Sequence, residues 1–222
     1  MREIKNEYLH MSKNEYLHEN NQNLNKNGSM ATMAEKMVAS LEELRKLQEK
    51  DRCVVLQGTA EIGRTHLTRL LDNGWLQEVM KGWYIAARPG TEGDTTVWYT
   101  SFWYFIAKYA AVRLGERWCL TADQSLDLYS GKTTVPVQVV IKSPKGHNNT
   151  QKLMYDTSLL VFQSEIPDQV YKEPEYGLNL YPLAEALVYA TPRYFQVEKI
   201  ARYRYNPGTM ITIDGTVIAI LG

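Results

Sequence analysis

The stretch from Val97 to Leu114, VWYTSFWYFIAKYAAVRL, is apolar on nearly every side. A helix of that kind is not a surface helix with one face in water. It has to be buried between layers of other structure. Gly115 follows it where a helix C-terminus favours a left-handed residue. The chain must therefore supply cover on both sides. With 222 residues, 44% of them hydrophobic and five tryptophans, it has material for one or two domains and a substantial core. No run of about 18 purely apolar residues occurs, so no membrane span is expected.

Upstream, Met30 to Lys50 reads as a helix, with Met33, Met37, Leu41, Leu44 and Leu47 recurring at steps of three or four. Val54-Val55-Leu56 begins a short element that Gly58 interrupts, and Thr59 to Gly63 forms a short helix or turn. Ile62 to Tyr84, IGRTHLTRLLDNGWLQEVMKGWY, then combines several signals. Leu67, Leu70 and Leu71 mark one buried helical face, and Arg64, Thr65, His66, Thr68 and Arg69 point outward as hydrogen-bond donors. Asn73-Gly74 stops the helix, and Trp75-Leu76 and Trp83-Tyr84-Ile85 flank the basic turn Lys81-Gly82. Helix, stop, strand, basic turn, strand is the outline of a recognition helix followed by a wing.

Such a helix reads base edges in the major groove while the wing touches phosphate. Arg64 and Arg69 are suited to fork onto guanines, Thr65 and Thr68 to reach phosphate or a thymine methyl, and Lys81 to neutralise a phosphate. Lys plus Arg equal Asp plus Glu at 25 each, so any nucleic-acid surface must be a local patch. Residues 51–90 hold five Lys/Arg (Arg52, Arg64, Arg69, Lys81, Arg88) against four acids (Asp51, Glu61, Asp72, Glu78), a net charge of +1. That implies weak non-specific binding by a monomer, and specific binding would need two copies or a second basic face. Lys142, Lys145, His147 and Lys152, with Lys132, form a second basic patch around the 143–149 turn, read as a solvated hairpin end, a second DNA contact or a partner surface.

Pro89-Gly90 through Asp94 reads as a linker. Beyond the apolar helix, Trp118-Cys119-Leu120 is a short strand. Thr121 and Gln124 have capping-box spacing for a helix to about Tyr129. Thr133–Ile141, Leu153–Tyr155 and Ser158–Phe162 read as strands, Pro136 marking an edge or bulge. Tyr181 to Ala190 reads as a helix with Pro182 near its first turn. In MITIDGTVIAIL, Asp214-Gly215 sits between two β-branched runs as a hairpin turn.

No catalytic constellation is visible. His10, His18, His66 and His147 have no metal-ligand spacing, and no nucleophile-elbow or phosphate-loop motif occurs. Asp123 and Asp127 lie four apart on one helix, a spacing that could hold a cation, but without a second cluster of oxygen ligands they read as a solvated face. Cys53 and Cys119 sit in apolar runs and read as buried free thiols in a reducing cytoplasm. The expectation is a cytoplasmic, non-enzymatic protein without metal or cofactor. Residues 1–29 read as a disordered polar tail in which KNEYLH occurs twice, at Lys5–His10 and Lys13–His18, with no signal-peptide core.

The segments RTHLTRLLDNGWLQEVMKGWYIAARPG, DTTVWYTSFWYFIAKYAAVRLGERWCLTADQSL and TVPVQVVIKSPKG, within roughly 35–195, resemble the AbiEi family of antitoxins and transcriptional regulators of type IV toxin–antitoxin systems. The resemblance implies an α+β chain: a winged helix-turn-helix over 30–90, then a mixed α/β antitoxin-like domain over 91–222. It implies binding to inverted repeats in operator DNA. It also implies an antitoxin that opposes a cognate toxin functionally, with no stable complex required. Some relatives precede a Fic domain. This chain has no HPFxxGNGR-like motif, so that activity is not expected. The other reading is an interaction module separated from a Fic-type fusion, without DNA binding.

Overall fold

The computed structural model describes residues 28–51, 54–90 and 93–196 and the strands 211–213 and 216–218. The KNEYLH repeat, Arg52 and Cys53 lie outside the described residues. The chain is mixed α+β. Its elements begin with α1 (Gly28–Lys50), β1 (Val55–Gln57), α2 (Arg64–Asp72), β2 (Leu76–Met80), β3 (Trp83–Ala86) and α3 (Thr96–Leu114). They continue with β4 (Cys119–Leu120), α4 (Ala122–Tyr129), β5 (Gln138–Ser143), β6 (Thr150–Lys152), β7 (Ser158–Gln163), β8 (Tyr171–Lys172), β9 (Asn179–Leu180) and α5 (Leu183–Tyr189). Finally β10 (Ile211–Ile213) pairs with β11 (Thr216–Ile218), Ile213 opposite Thr216, as the Asp214-Gly215 signal requires.

The first sheet has the order β1-β3-β2, all antiparallel. Strand alternation sends its side chains two ways. Leu56, Leu76 and Tyr84 join Met37, Leu44, Leu67 and Leu70 beneath α1 and α2. Val55, Val79, Trp83 and Ile85 join Phe105, Tyr109 and the rest of the α3 core. The same core includes Val139, Ile141, Leu159 and Val161 of the second sheet. So α3 lies between two sheets, which is why its sequence has no polar side. Aromatic edges lock it: Trp83 meets Phe105 at 5.9 Å with ring planes at 84°. Trp98, fully buried, donates from Nε1 to Thr157 Oγ1 at 3.1 Å.

The second sheet has the order β4-β5-β7-β6, with β5 and β7 parallel and the other pairs antiparallel. The chain leaves β5, crosses the end of β7, descends as the edge strand β6 and returns as β7. The 143–149 turn makes that crossing. Both His147 N–H and Asn148 N–H donate to the Val161 carbonyl, at 3.2 and 3.0 Å. A Cβ on Gly146 would sit 2.4 Å from the Gln163 nitrogen, so only glycine fits there.

Several expected boundaries move. The strand read over Thr133–Ile141 begins only at Gln138, beyond Pro136, which cannot donate to a ladder. The strand read over Leu153–Tyr155 is instead Thr150–Lys152. Because Lys152 pairs with Ser158, residues 153–157 must reverse the chain, and Tyr155 and Asp156 take left-handed φ of 48° and 58°. The capping box at α4 is one-sided. Thr121 accepts from Gln124 N–H at 3.3 Å, but the Gln124 side chain turns to β5, donating to the Gln138 carbonyl and accepting from Val140 N–H. The helix read over Tyr181–Ala190 is Leu183–Tyr189, with Pro182, expected near its first turn, as the N-cap. Among the described residues no helix is long and apolar enough to cross a membrane.

Candidate nucleic-acid interface

α2 begins without a side-chain cap. Gly63 occupies the N-cap position, and no acidic residue stands in the first turn. The helix therefore opens with unsatisfied N–H groups and an exposed arginine, Arg64, where the helix dipole is positive. Its far end is closed by Asn73-Gly74: Gly74 N–H donates to Leu71 O and Trp75 N–H to Leu70 O, with Gly74 at φ 71°. Leu67 and Leu70 hold the helix against α1.

The six expected contact residues divide into two groups. Arg64, Thr65 and Thr68 on α2 and Lys81 in the β2–β3 turn are exposed. His66 and Arg69 turn to α1 instead. Arg69 Nη1 donates to the Lys36 carbonyl at 2.8 Å and to Ser40 Oγ at 2.6 Å. His66 Nδ1 lies 3.0 Å from the same hydroxyl. Ser40 is fully buried and itself donates to the Lys36 carbonyl. A buried hydroxyl needs such partners, so the Arg69 guanidinium is held as a brace between the two helices. Ser40 stands three residues after Met37 and four before Leu44, on their buried face, and that spacing is the signal that could have found it.

The turn before α2 and the β2–β3 turn are tied directly, since Gly58 N–H donates to the Gly82 carbonyl at 2.7 Å. Gly58 and Gly82 both have positive φ, 49° and 80°. Glu78 lies beneath the hairpin turn, its Oε1 accepting from Gly82 N–H at 3.1 Å. The turn that leads towards α2 is thus braced against the hairpin turn that carries Lys81.

The second patch does not hold together as read. Lys142 points inward: Nζ donates to Tyr181 Oη at 2.8 Å and lies 5.3 Å from that ring's centroid. Lys145, His147 and Lys152 remain exposed. His147 Nδ1 accepts from Asn149 N–H at 3.2 Å, and Nε2 lies 3.4 Å from the Gln151 amide nitrogen. Lys132 pairs with Asp127 at 3.1 Å.

The remaining candidates are accounted for structurally. Asp123 accepts from both the amide and the hydroxyl of Thr191 at 2.7 Å. Cys119 is buried and free, and burial pushes its thiol up to about 12, which leaves it unreactive. Among the described residues no cluster of His, Cys, Asp or Glu could hold a metal. No family model, curated protein or solved structure matches the chain, so the resemblance of its motifs and the geometry above are what bear on its function.

Proposed function

We propose that residues 30–90 act as a winged helix-turn-helix that binds operator DNA at inverted repeats in the chain's own promoter. The protein would be a non-enzymatic, cytoplasmic autorepressor and the antitoxin of a type IV toxin–antitoxin system. The observation that carries the DNA reading is the start of α2, uncapped, without an acid in its first turn, and displaying Arg64, Thr65 and Thr68. The hairpin turn beside it adds Lys81. This combination favours phosphate at the helix N-terminus and base edges along the exposed flank. The antitoxin role of the α/β part rests on the motif resemblance, and it requires no stable grip on the toxin.

Gel shifts with the DNA upstream of the reading frame test the proposal. Wild-type protein is expected to shift it at low salt, and Arg64→Ala is expected to weaken a specific site by about 1–3 kcal/mol. No shift even at low salt, together with co-purification of a neighbouring gene product, would sink it in favour of the interaction-module reading.

A further inference from the structure

We infer that bound DNA extends beyond the hairpin turn and lays a backbone phosphate in a cleft on α3, contacted by Arg113. The inference rests on the DNA-binding reading above. The cleft has a volume of about 420 Å³, and its walls are Gln57–Ala60, the Met80–Trp83 turn, and Tyr109, Arg113 and Gln151. It faces the opposite side of the hairpin from α1, so it belongs neither to α2 nor to the patch read from sequence.

Its chemistry selects an oxyanion. Lys81 and Arg113 come from separate elements onto one opening, and no carboxylate lines it. Both are exposed, and among the described residues neither has an ion-pair partner. Two carboxylates stand behind the lining and both are engaged: Glu78 accepts from Gly82 N–H, and Glu61 accepts from Gln57 N–H and from Lys108. Tyr109 donates its hydroxyl to Gln151 Oε1 at 2.9 Å, which leaves the amide nitrogen of Gln151 as a donor at the rim beside His147. Trp83 and Tyr109 are only 4% and 2% exposed, so no ring face is offered for a base to stack on. Two cations and an amide donor without a stacking platform suit a phosphodiester rather than a nucleobase.

The cleft is also continuous with the proposed interface. Lys81 belongs to both, and Gln151 lies 3.4 Å from His147 of the 143–149 turn. Arg113 thereby adds a cation from α3 to the one that the hairpin supplies, next to that turn. It is the second basic contribution which the near-neutral 51–90 segment lacks.

Anisotropy titrations of the full chain with its upstream duplex and an unrelated duplex, over about 50–300 mM salt, test the inference. Arg113→Ala should lower the slope of log affinity against log salt by about 0.9, with equal loss on both duplexes, and Arg113→Lys should restore the slope. Arg45→Ala, an exposed arginine of α1 paired with Glu42 on the far side of the hairpin from the cleft, should leave it unchanged. The thermal melt of Arg113→Ala should match wild type. A wild-type slope for Arg113→Ala, or a loss confined to the upstream duplex, overturns the inference while leaving the DNA reading intact. Failure of wild-type protein to bind either duplex at about 50 mM salt overturns both.

Discussion

The Lys108 ammonium, in the buried middle of α3, donates to the Val55 carbonyl at 2.6 Å. The same nitrogen meets Glu61 Oε1 at 2.6 Å and lies 3.9 Å from Asp51. One cation thus bolts α3 to the first residue of β1 and to the β1–α2 connection. Its four-carbon stem lies along the packed helix while its head reaches polar partners. The turn that leads into α2 and the cleft bearing Arg113 are held to one scaffold by this residue.

Lys108→Met should therefore destabilise the fold by about 1–3 kcal/mol, because Val55 and Glu61 lose a charged donor. Glu61→Gln, which is partly exposed and keeps an acceptor, should cost about 0–1 kcal/mol. Urea denaturation curves measure both, and a Lys108→Met midpoint equal to wild type would show that the bolt is idle.

Arg64 and Arg69 should separate stability from binding. Arg64→Ala should leave the melting temperature unchanged and reduce DNA affinity. Ser40→Ala should lower stability by about 1–2 kcal/mol, since it strips Arg69 and His66 of their shared hydroxyl. Arg69→Ala should also lower the melting temperature. If Arg69→Ala reduced DNA affinity with no change in melting, the arginine would be a direct reader.

Gly146→Ala should cost about 3 kcal/mol, because the new methyl would strike the β7 backbone and the crossing turn would have to lift. Gly90→Ala is the contrast, since only its backbone conformation is strained and nothing stands within 4 Å. A smaller loss at Gly146 than at Gly90, by chemical denaturation, would contradict the crossing geometry.

Alkaline stability should depend on Tyr129. Burial, with Tyr171 nearby, pushes its phenol from 10.0 up to about 12, and its hydroxyl donates to the Tyr181 carbonyl at 2.9 Å. The neutral form is thus favoured in the folded state. The stabilisation is complete below pH 10 and is lost as pH rises through about 12. Tyr129→Phe should cost about 1 kcal/mol at neutral pH and flatten the decline between these values. An unchanged alkaline decline would assign it to other groups.

The amino-acid order by itself determined the elements whose signals are local. The all-round apolarity of 97–114 demanded two covering layers, and the structure has a sheet on each side. Leu67 and Leu70 set the buried face of α2, Asn73-Gly74 its end, and Asp214-Gly215 the last hairpin. What needed the tertiary structure was every assignment that depends on a neighbour far along the chain. Arg69 and Arg64 look alike in sequence, and only the approach of Ser40, 29 residues upstream of Arg69, makes one a brace. Lys142 and Lys145 look alike in sequence, and only Tyr181, far along the chain, takes the ammonium of one of them. Arg113 lines a cleft only because the hairpin turn comes up beside α3. Periodicity reports which side of an element meets water, because burial repeats with the backbone. It says nothing of which polar groups meet across elements, because that depends on how the layers stack.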